Sequence, residues 1–314
     1  MTGSKSSSKR TITTVTVALT SALTVLLAGC SPSKEDPLKA DTTKNGTVVV
    51  GSNNFSESIL LADIYGEALK AKGIRVEYKP NIGSREITYG LVKNGTLTVL
   101  PEYNGALLAY LDKHATPKTM GETIRAIKNK LPAQMDVLEP AEAQNRDAIT
   151  LNAATAAKYH LTTKSSIADL KDVAHELVIG GSSEFQTRYQ GLVGLKSVYG
   201  LTFKSFKALD AGGPFTVAAL KRNNIQVGDV FTTDPSIGKN KFVTLQDPKG
   251  LFGFQNVTPL VYRPGLPKAG VAALNAVSAE LDTPTLLRLG AEVQNNHKDP
   301  MEVAQAWLTS RHLI

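Results

Sequence analysis

Short apolar runs alternate with amphipathic segments along most of the chain. Residues 47–51 form a continuous apolar run, which is typical of a strand buried on both faces. The next segment repeats its apolar side chains at helical spacing and ends at Gly73. A second strand at 74–78, a helix over 85–94 and a third strand ending at Pro101 complete a βαβαβ unit. This order predicts the first part of a doubly wound sheet.

The middle of the chain continues the same alternation. Further strands are predicted by apolar runs at 148–151, 177–180, 229–234 and 242–245. Gly213 and Pro214 are typical of a helix start, as are Asp299 and Pro300 near the end of the chain. In that last helix, Trp307 lies on an apolar stripe, which indicates a core residue. A chain of this length usually forms about two domains.

Two segments have the residue pattern of capped helix starts. Asn54 followed by Glu57 matches a capping box, in which the carboxylate reaches back to the first backbone N–H of the helix. Ser182 and Ser183 are suitable caps for a second helix. That helix is predicted to carry Arg188.

The amino-terminal residues have the pattern of an export signal. Lys5, Lys9 and Arg10 precede an uncharged segment that continues to Leu27. A basic start, a short apolar stretch and small residues before the break are typical of a secretory signal peptide. We therefore predict a signal peptide over residues 1–29, with an uncleaved membrane helix as the alternative.

Cys30 is the only cysteine of the chain, so it can form no internal disulfide. It directly follows Ala-Gly, and this resembles the lipobox of bacterial lipoproteins, whose cysteine becomes the lipid-modified first residue of the mature chain. A buried thiol without a function is the alternative. Residues 30–46 then predict a flexible tether. The protein is expected on the extracytoplasmic face of the cell membrane, held there by a lipid.

Charge argues against a nucleic-acid partner. The formal net charge is +7, and removing the three basic residues of the predicted signal peptide leaves +4. No run of Lys and Arg alternates with aromatic residues, so a solvated surface accounts for the small excess. No second apolar stretch long enough to span a bilayer follows Leu27.

Motifs for catalysis, metal ions or cofactors are absent from the sequence. There is no nucleophile elbow, zinc-protease helix, phosphate loop or dinucleotide fingerprint, and the five histidines lack metal-ligand spacing. Glu102 is a conceivable acid catalyst beside Tyr103, but without a second carboxylate placed by a motif it fits a hydrogen-bonded structural group better.

Tyr103 is a candidate ligand contact because it follows the carboxyl end of a predicted strand. Open α/β sheets bind ligands in the crevice at that edge. The alternative is that the ring only packs on the next helix. The neighbouring motifs favour the ligand contact.

Five short motifs occur in the order seen in one family. They are residues 51–57 (Gly-Ser-Asn-Asn-Phe-Ser-Glu), 101–105 (Pro-Glu-Tyr-Asn-Gly), 184–188 (Glu-Phe-x-x-Arg), 232–234 (Thr-Thr-Asp) and 256–261 (Asn-Val-Thr-Pro-Leu-Val). Together they resemble the substrate-binding lipoproteins of ABC importers for glycine betaine, choline and carnitine, the osmoprotectant-uptake type. The resemblance extends over the chain from residue 47 onward.

The resemblance implies an α/β, two-lobed periplasmic-binding-protein-like fold of type II, with two doubly wound lobes and a double crossover hinge. Residues 47–147 plus 258–314 would form lobe 1, and residues 148–257 would form lobe 2. It also implies a monomer that has no catalytic activity and no cofactor and that delivers a quaternary ammonium solute to a membrane permease. A secreted, anchored hydrolase using Glu102 or Asp147 is the alternative function.

A quaternary ammonium group has no hydrogen-bond donor, so aromatic faces are suited to hold it. The resemblance places Tyr103 and Phe231 in such a cage, facing each other across the cleft. Asp147 and Gln255 stand where the family has aromatic residues, and Phe254 could replace the second of these by a one-residue shift.

The remaining predicted site residues are polar. Arg188, with the backbone amides near Ser182 and Ser183, is suited to a ligand carboxylate. Asn53 and Ser56 complete the predicted ligand-binding set. Asp147 has two alternatives: it contributes to cation binding, or it pairs with Arg146 or Arg188 or points to solvent.

Overall fold

The computed structural model describes residues 46–314 of the 314-residue chain. The predicted signal peptide, Cys30 and the predicted tether up to residue 45 lie outside the described residues.

The strands of this region form two five-stranded sheets. In chain order the strands are β1 (Thr47–Asn53), β2 (Arg75–Gly83), β3 (Val99–Tyr103), β4 (Met135–Val137), β5 (Asp147–Leu151), β6 (Val178–Ser182), β7 (Ser205–Leu209), β8 (Val227–Phe231), β9 (Val243–Thr244) and β10 (Val257–Tyr262).

Both sheets are mixed and follow the same plan. The first has the order β2-β1-β3-β10-β4, and the second has the order β7-β6-β8-β5-β9. In each sheet three neighbouring strands are parallel and the next is antiparallel: β10 runs against β3, and β5 runs against β8. The chain crosses from the first sheet to the second after β4 and returns before β10. The predicted two-lobed α/β architecture is confirmed, with an antiparallel strand in each sheet.

Helices cover the sheets. They are α1 (Ser56–Lys70), α2 (Arg85–Lys93), α3 (Asn104–Leu111), α4 (Met120–Lys130), α5 (Ala153–Lys158), α6 (Gly194–Tyr199), α7 (Pro214–Lys221), α8 (Ser236–Lys239), α9 (Lys268–Glu280), α10 (Thr283–Gln294) and α11 (Pro300–Ser310). Trp307 of α11 is buried in the core of the first sheet, together with side chains of α1, as its apolar stripe predicts. None of the described helices is long and apolar enough to cross a membrane.

Of the two predicted side-chain caps, the structure overturns the first and keeps the second on a much shorter helix. Phe55, and not Asn54, is the residue before α1, and no side chain caps this helix. Glu57 is buried and accepts hydrogen bonds from distant side chains, which displace the predicted capping box. Ser182 does accept a hydrogen bond from the backbone of Phe185. However, the helix it begins is a single 3-10 turn, Ser183–Gln186, and Arg188 lies beyond its end.

Candidate functional site

A cavity opens where strand ends of the two sheets meet, with about 580 Å³ of free space including its mouth. Its walls consist of Asn53, Asn54, Phe55, Ser84, Arg85, Tyr103, Ala106, Asn145, Asp147, Ser182, Glu184, Arg188, Ala211, Phe231 and Gln255. Six predicted site residues therefore lie on one cavity, which we call the central cavity. Ser56 is not on its wall and lines a larger neighbouring cavity.

Three aromatic rings line one side of the central cavity. The ring of Phe55 lies with its centroid 6.1 Å from that of Tyr103 and 5.1 Å from that of Phe231, and both pairs are tilted. The sequence-based prediction named Tyr103 and Phe231 as the facing rings and did not include Phe55. Its signal in the sequence was an aromatic residue between a strand end and a helix start.

Tyr103 lines the cavity, and its hydroxyl group is held by a buried carboxylate. Its hydroxyl donates to Oε1 of Glu57 over 2.6 Å. The same carboxylate accepts from Nδ2 of Asn145 over 2.8 Å and from the hydroxyl of Thr233 over 2.6 Å. Burial raises the pKa of Glu57, although these three donors oppose the shift. Glu57 thus connects the first sheet, the crossover segment after β4 and the segment after β8.

Glu102 is committed to a buried ion pair. Arg85, at the start of α2, donates from Nε and from Nη2 to its two oxygens, both over 2.8 Å. The backbone N–H of Tyr103 donates to the same carboxylate. Because Glu102 is fully buried and saturated in this way, it is not available as the acid or base of the hydrolase considered above. The guanidinium of Arg85 lies on the cavity wall and was not among the predicted site residues.

Arg188 also forms a bidentate ion pair. Its Nε and Nη2 donate to Glu86 of α2 over 2.9 and 2.7 Å. Although burial acts in the opposite direction, these hydrogen bonds lower the pKa of Glu86 to about 2. The predicted carboxylate-binding arginine is therefore on the cavity wall, where an acidic side chain of the chain itself occupies its fork.

Asp147 and Asp229 form an acidic pair in which Asp147 is half-buried and Asp229 is buried. In the antiparallel ladder of β5 and β8, Asp147 is opposite Phe231 and Ile149 is opposite Asp229, so the two carboxyl groups are diagonal neighbours on one face. Each carboxyl group therefore lies in the electrostatic field of the other. Burial raises the pKa of Asp147 and, together with the charge of Asp147, raises the pKa of Asp229 well above its usual range.

Gln255 has a structural task on the cavity wall. Its Oε1 accepts from the backbone N–H of Ala106 over 2.9 Å, and its Nε2 donates to Gln190 and to the carbonyl of Phe252. Phe254 is not on the cavity wall. Its carbonyl oxygen lies 2.0 Å from the place that a Cβ at Gly105 would take, which explains the glycine there.

Asn53 is held by neighbouring side chains. Its amide oxygen accepts from the hydroxyl of Thr88 over 2.8 Å, and its backbone N–H donates to Ser58 over 2.9 Å. Among the described residues there is no group of acidic, histidine or cysteine side chains that could hold a metal ion.

The chain matches known proteins over nearly all the described residues. The family described as the substrate binding domain of ABC-type glycine betaine transport system matches residues 46–310. The glycine betaine-binding protein YehZ of Escherichia coli (strain K12) is 28% identical over 279 residues, which cover 84% of this chain and 90% of that protein. The glycine-betaine-binding protein of Pseudomonas aeruginosa is 26% identical over 279 residues, which cover 85% of this chain and 89% of that protein.

The fold is similar to that of a solved structure described as a glycine betaine/carnitine/choline ABC transporter. The TM-score is 0.66 at 23% sequence identity, and the match covers 85% of this chain and 99% of that chain.

Proposed function

The chain belongs to the family of substrate-binding domains of ABC-type glycine betaine transport systems, and from this premise we propose that it captures a quaternary ammonium solute of the glycine betaine, choline or carnitine type. As a substrate-binding protein of such a system it acts outside the cytoplasm and is not an enzyme. The hydrolase alternative is therefore not supported.

The aromatic lining of the central cavity supports a quaternary ammonium ligand. Phe55, Tyr103 and Phe231 place three rings on one side of it. Each ring that contacts a cation through its face contributes about 0.5–2 kcal/mol. The half-buried carboxyl of Asp147 adds negative potential to the same cavity. Such a lining suits a ligand that carries a positive charge and offers no hydrogen bond.

A zwitterion such as glycine betaine also needs a partner for its carboxylate. Arg188 is the proposed partner, and Ser182 lies on the same wall. Because Glu86 holds the guanidinium in two hydrogen bonds, the ligand carboxylate has to replace Glu86. Asn53 and Gln255 are uncharged parts of the cavity wall. They do not neutralise the charges of the ligand.

The two crossover segments suit a hinge between lobes of residues 47–147 plus 258–314 and residues 148–257. Closure around the solute would present it to a permease in the membrane, with the protein acting as a monomer. Cys30 is proposed as the lipid-modified residue that keeps it at the membrane. Mass spectrometry of the exported protein tests this: an unmodified precursor without diacylglycerol on Cys30 would contradict it.

Thermal shift and calorimetry with glycine betaine, choline, carnitine, proline betaine and ectoine test the function. A ligand at 100 times its Kd adds about 2.7 kcal/mol to the free energy of unfolding. We expect a saturable shift with at least one quaternary ammonium compound, and the ligand is recovered unchanged. The absence of a shift with all of them contradicts the proposal.

A further inference from the structure

The acidic pair of Asp147 and Asp229 is unusual for a ligand site because one of its members is buried. Asp147 is half-buried and lines the central cavity, whereas Asp229 is only 3% exposed. Oδ1 of Asp229 is buried and accepts no hydrogen bond from any donor among the described residues. Two carboxyl groups that are diagonal neighbours on one face of a sheet, one of them buried, cannot both be ionised without a large cost, so the pair keeps one proton between them.

The charges around the pair leave the cavity negative. Arg85 and Arg188 are the guanidinium groups on its wall, and each is bound by a glutamate in two hydrogen bonds. Glu184 lies on the same wall. Two positive charges therefore face three glutamates and the acidic pair. Further charged or titratable groups line the cavities on either side of Asp147, namely Lys113, Asp112, His114, Arg146 and Asp247.

We infer that Asp147 and Asp229 act together as a proton-exchanging cation site, which makes the central cavity selective for permanently cationic, choline-like solutes and releases one proton when such a solute binds. The inference rests on the proposed function, because it places the quaternary ammonium group in this cavity. Asp229 is a positioning residue, since it acts on the ligand through Asp147.

The proton balance of the exchange is simple. In the free protein one O–H bond is shared between the two carboxyl groups. A cation that enters beside Asp147 stabilises the doubly ionised pair, so the O–H bond breaks and the proton passes to the buffer. A glycine betaine molecule brings its own carboxylate into a cavity with excess negative charge. It also has to displace Glu86 from Arg188, so its affinity is lower than that of choline.

Calorimetry of choline binding in two buffers with different ionisation enthalpies measures the protons released. The wild type is expected to release up to one proton per choline at neutral pH. At pH values below the one at which the free pair loses its proton, choline affinity should increase about tenfold for each unit by which the pH is raised. Asp147→Asn should bind choline about tenfold more weakly, without proton release. Asp229→Asn should bind choline with little dependence on pH, also without proton release.

Glu184→Gln is the matched control, because it removes a carboxylate of the same wall that shares no proton. It should lower choline affinity slightly and keep the proton release of the wild type. If proton release is absent in the wild type, or persists at the wild-type level in Asp147→Asn and in Asp229→Asn, the inference is wrong while the proposed function stands. Tighter binding of glycine betaine than of choline by the wild type also overturns it.

A measurement without ligand distinguishes failure of the proposed function from failure of the proton-exchanging cation site. Infrared difference spectra of the ligand-free protein, wild type minus Asp229→Asn, should show the carbonyl stretch of a protonated carboxyl group at neutral pH. If no quaternary ammonium compound binds, the proposed function fails and the cation site fails with it. The infrared band then still decides whether the pair holds a proton, and its absence overturns the inference whatever the binding results.

Discussion

Arg188 and Glu86 join the two lobes through parallel hydrogen bonds of 2.9 and 2.7 Å. Glu86 lies in the first turn of α2, which packs on the first sheet, and Arg188 follows β6 of the second sheet. The side chains keep 30% and 39% of their surface exposed, so solvent screens the pair. A ligand carboxylate can therefore compete for the guanidinium.

Removing the charge of Glu86 should favour zwitterions. In Glu86→Gln the ligand carboxylate no longer competes with an ion pair worth about 1 kcal/mol, so glycine betaine should bind roughly fivefold more tightly. Choline has no carboxylate, and its Kd should stay within about twofold. Calorimetric titration with both compounds measures the ratio.

Glu280→Gln is the control for this experiment, because it removes a surface ion pair with Arg311 on another face. It should change neither Kd. Arg188→Ala should weaken binding of glycine betaine far more than that of choline. Equal changes for both ligands in Glu86→Gln and Arg188→Ala would mean that this ion pair only braces the lobes.

The sequence located Arg188 but gave no sign of its partner. Arg188 belongs to a short local motif, residues 184–188, and such a motif is enough to predict that a residue lies near the ligand site. Glu86 lies 102 residues earlier and meets the arginine only because the two sheets come together. The same holds for Arg85 and Glu102, whose ion pair depends on the packing of α2 against β3.

Phe55 should contribute as much to quaternary ammonium binding as the two predicted rings. Phe55→Leu keeps an apolar side chain but removes the π face, so the Kd of choline and of glycine betaine should both rise. Loss of one cation–π contact of about 1–2 kcal/mol corresponds to roughly 5- to 30-fold. Calorimetric titration can determine both constants.

Tyr110 provides the matched control for Phe55. It forms a tilted ring pair with Tyr89, at 5.2 Å between centroids, and does not line the central cavity. Tyr110→Leu should leave both Kd values unchanged. A lower melting temperature of ligand-free Phe55→Leu with unchanged affinity would make Phe55 a core residue instead.

Glu57 and Asp229 show why a local pattern can mislead. An asparagine three residues before a glutamate fits a helix cap, but Tyr103, Asn145 and Thr233 supply donors that the sequence pattern does not contain. Asp229 lies in a predicted strand, residues 229–234, whose first three residues belong to β8 (Val227–Phe231). A charged residue inside a strand indicates that it needs a partner. The sequence does not identify that partner, because Asp147 becomes a neighbour of Asp229 only through the register of β5 and β8.

Thr233 should matter for stability, because its hydroxyl donates to Glu57 across the two lobes. Thr233→Val preserves the shape of the side chain and leaves one carboxylate oxygen without this donor. The free energy of unfolding should fall by about 1–3 kcal/mol, as measured by chemical denaturation. Thr233→Ser keeps the hydroxyl and should resemble the wild type. If the valine variant is as stable as the serine variant, the hydrogen bond contributes nothing.

Asp63 of α1 should make the folded protein less stable as the pH rises. Burial and the charges of Asp299 and Glu67 raise its pKa to about 6, while Lys70 opposes the shift. In the unfolded chain an aspartate has a pKa of about 3.9. Between these two values the unfolded chain binds fewer protons than the folded protein, so the free energy of unfolding decreases with increasing pH.

The stability difference caused by Asp63 should therefore appear only above about pH 4 and be complete above about pH 7. Asp63→Asn cannot titrate, so between those limits the wild type should lose about 2–3 kcal/mol more than the variant does. Chemical denaturation of both proteins at each pH provides the comparison, with the exposed Asp172→Asn as control. Because the comparison uses the change with pH, any constant effect of the substitution on packing cancels. If the two stability curves run parallel, then Asp63 has the same pKa in the folded and unfolded chains.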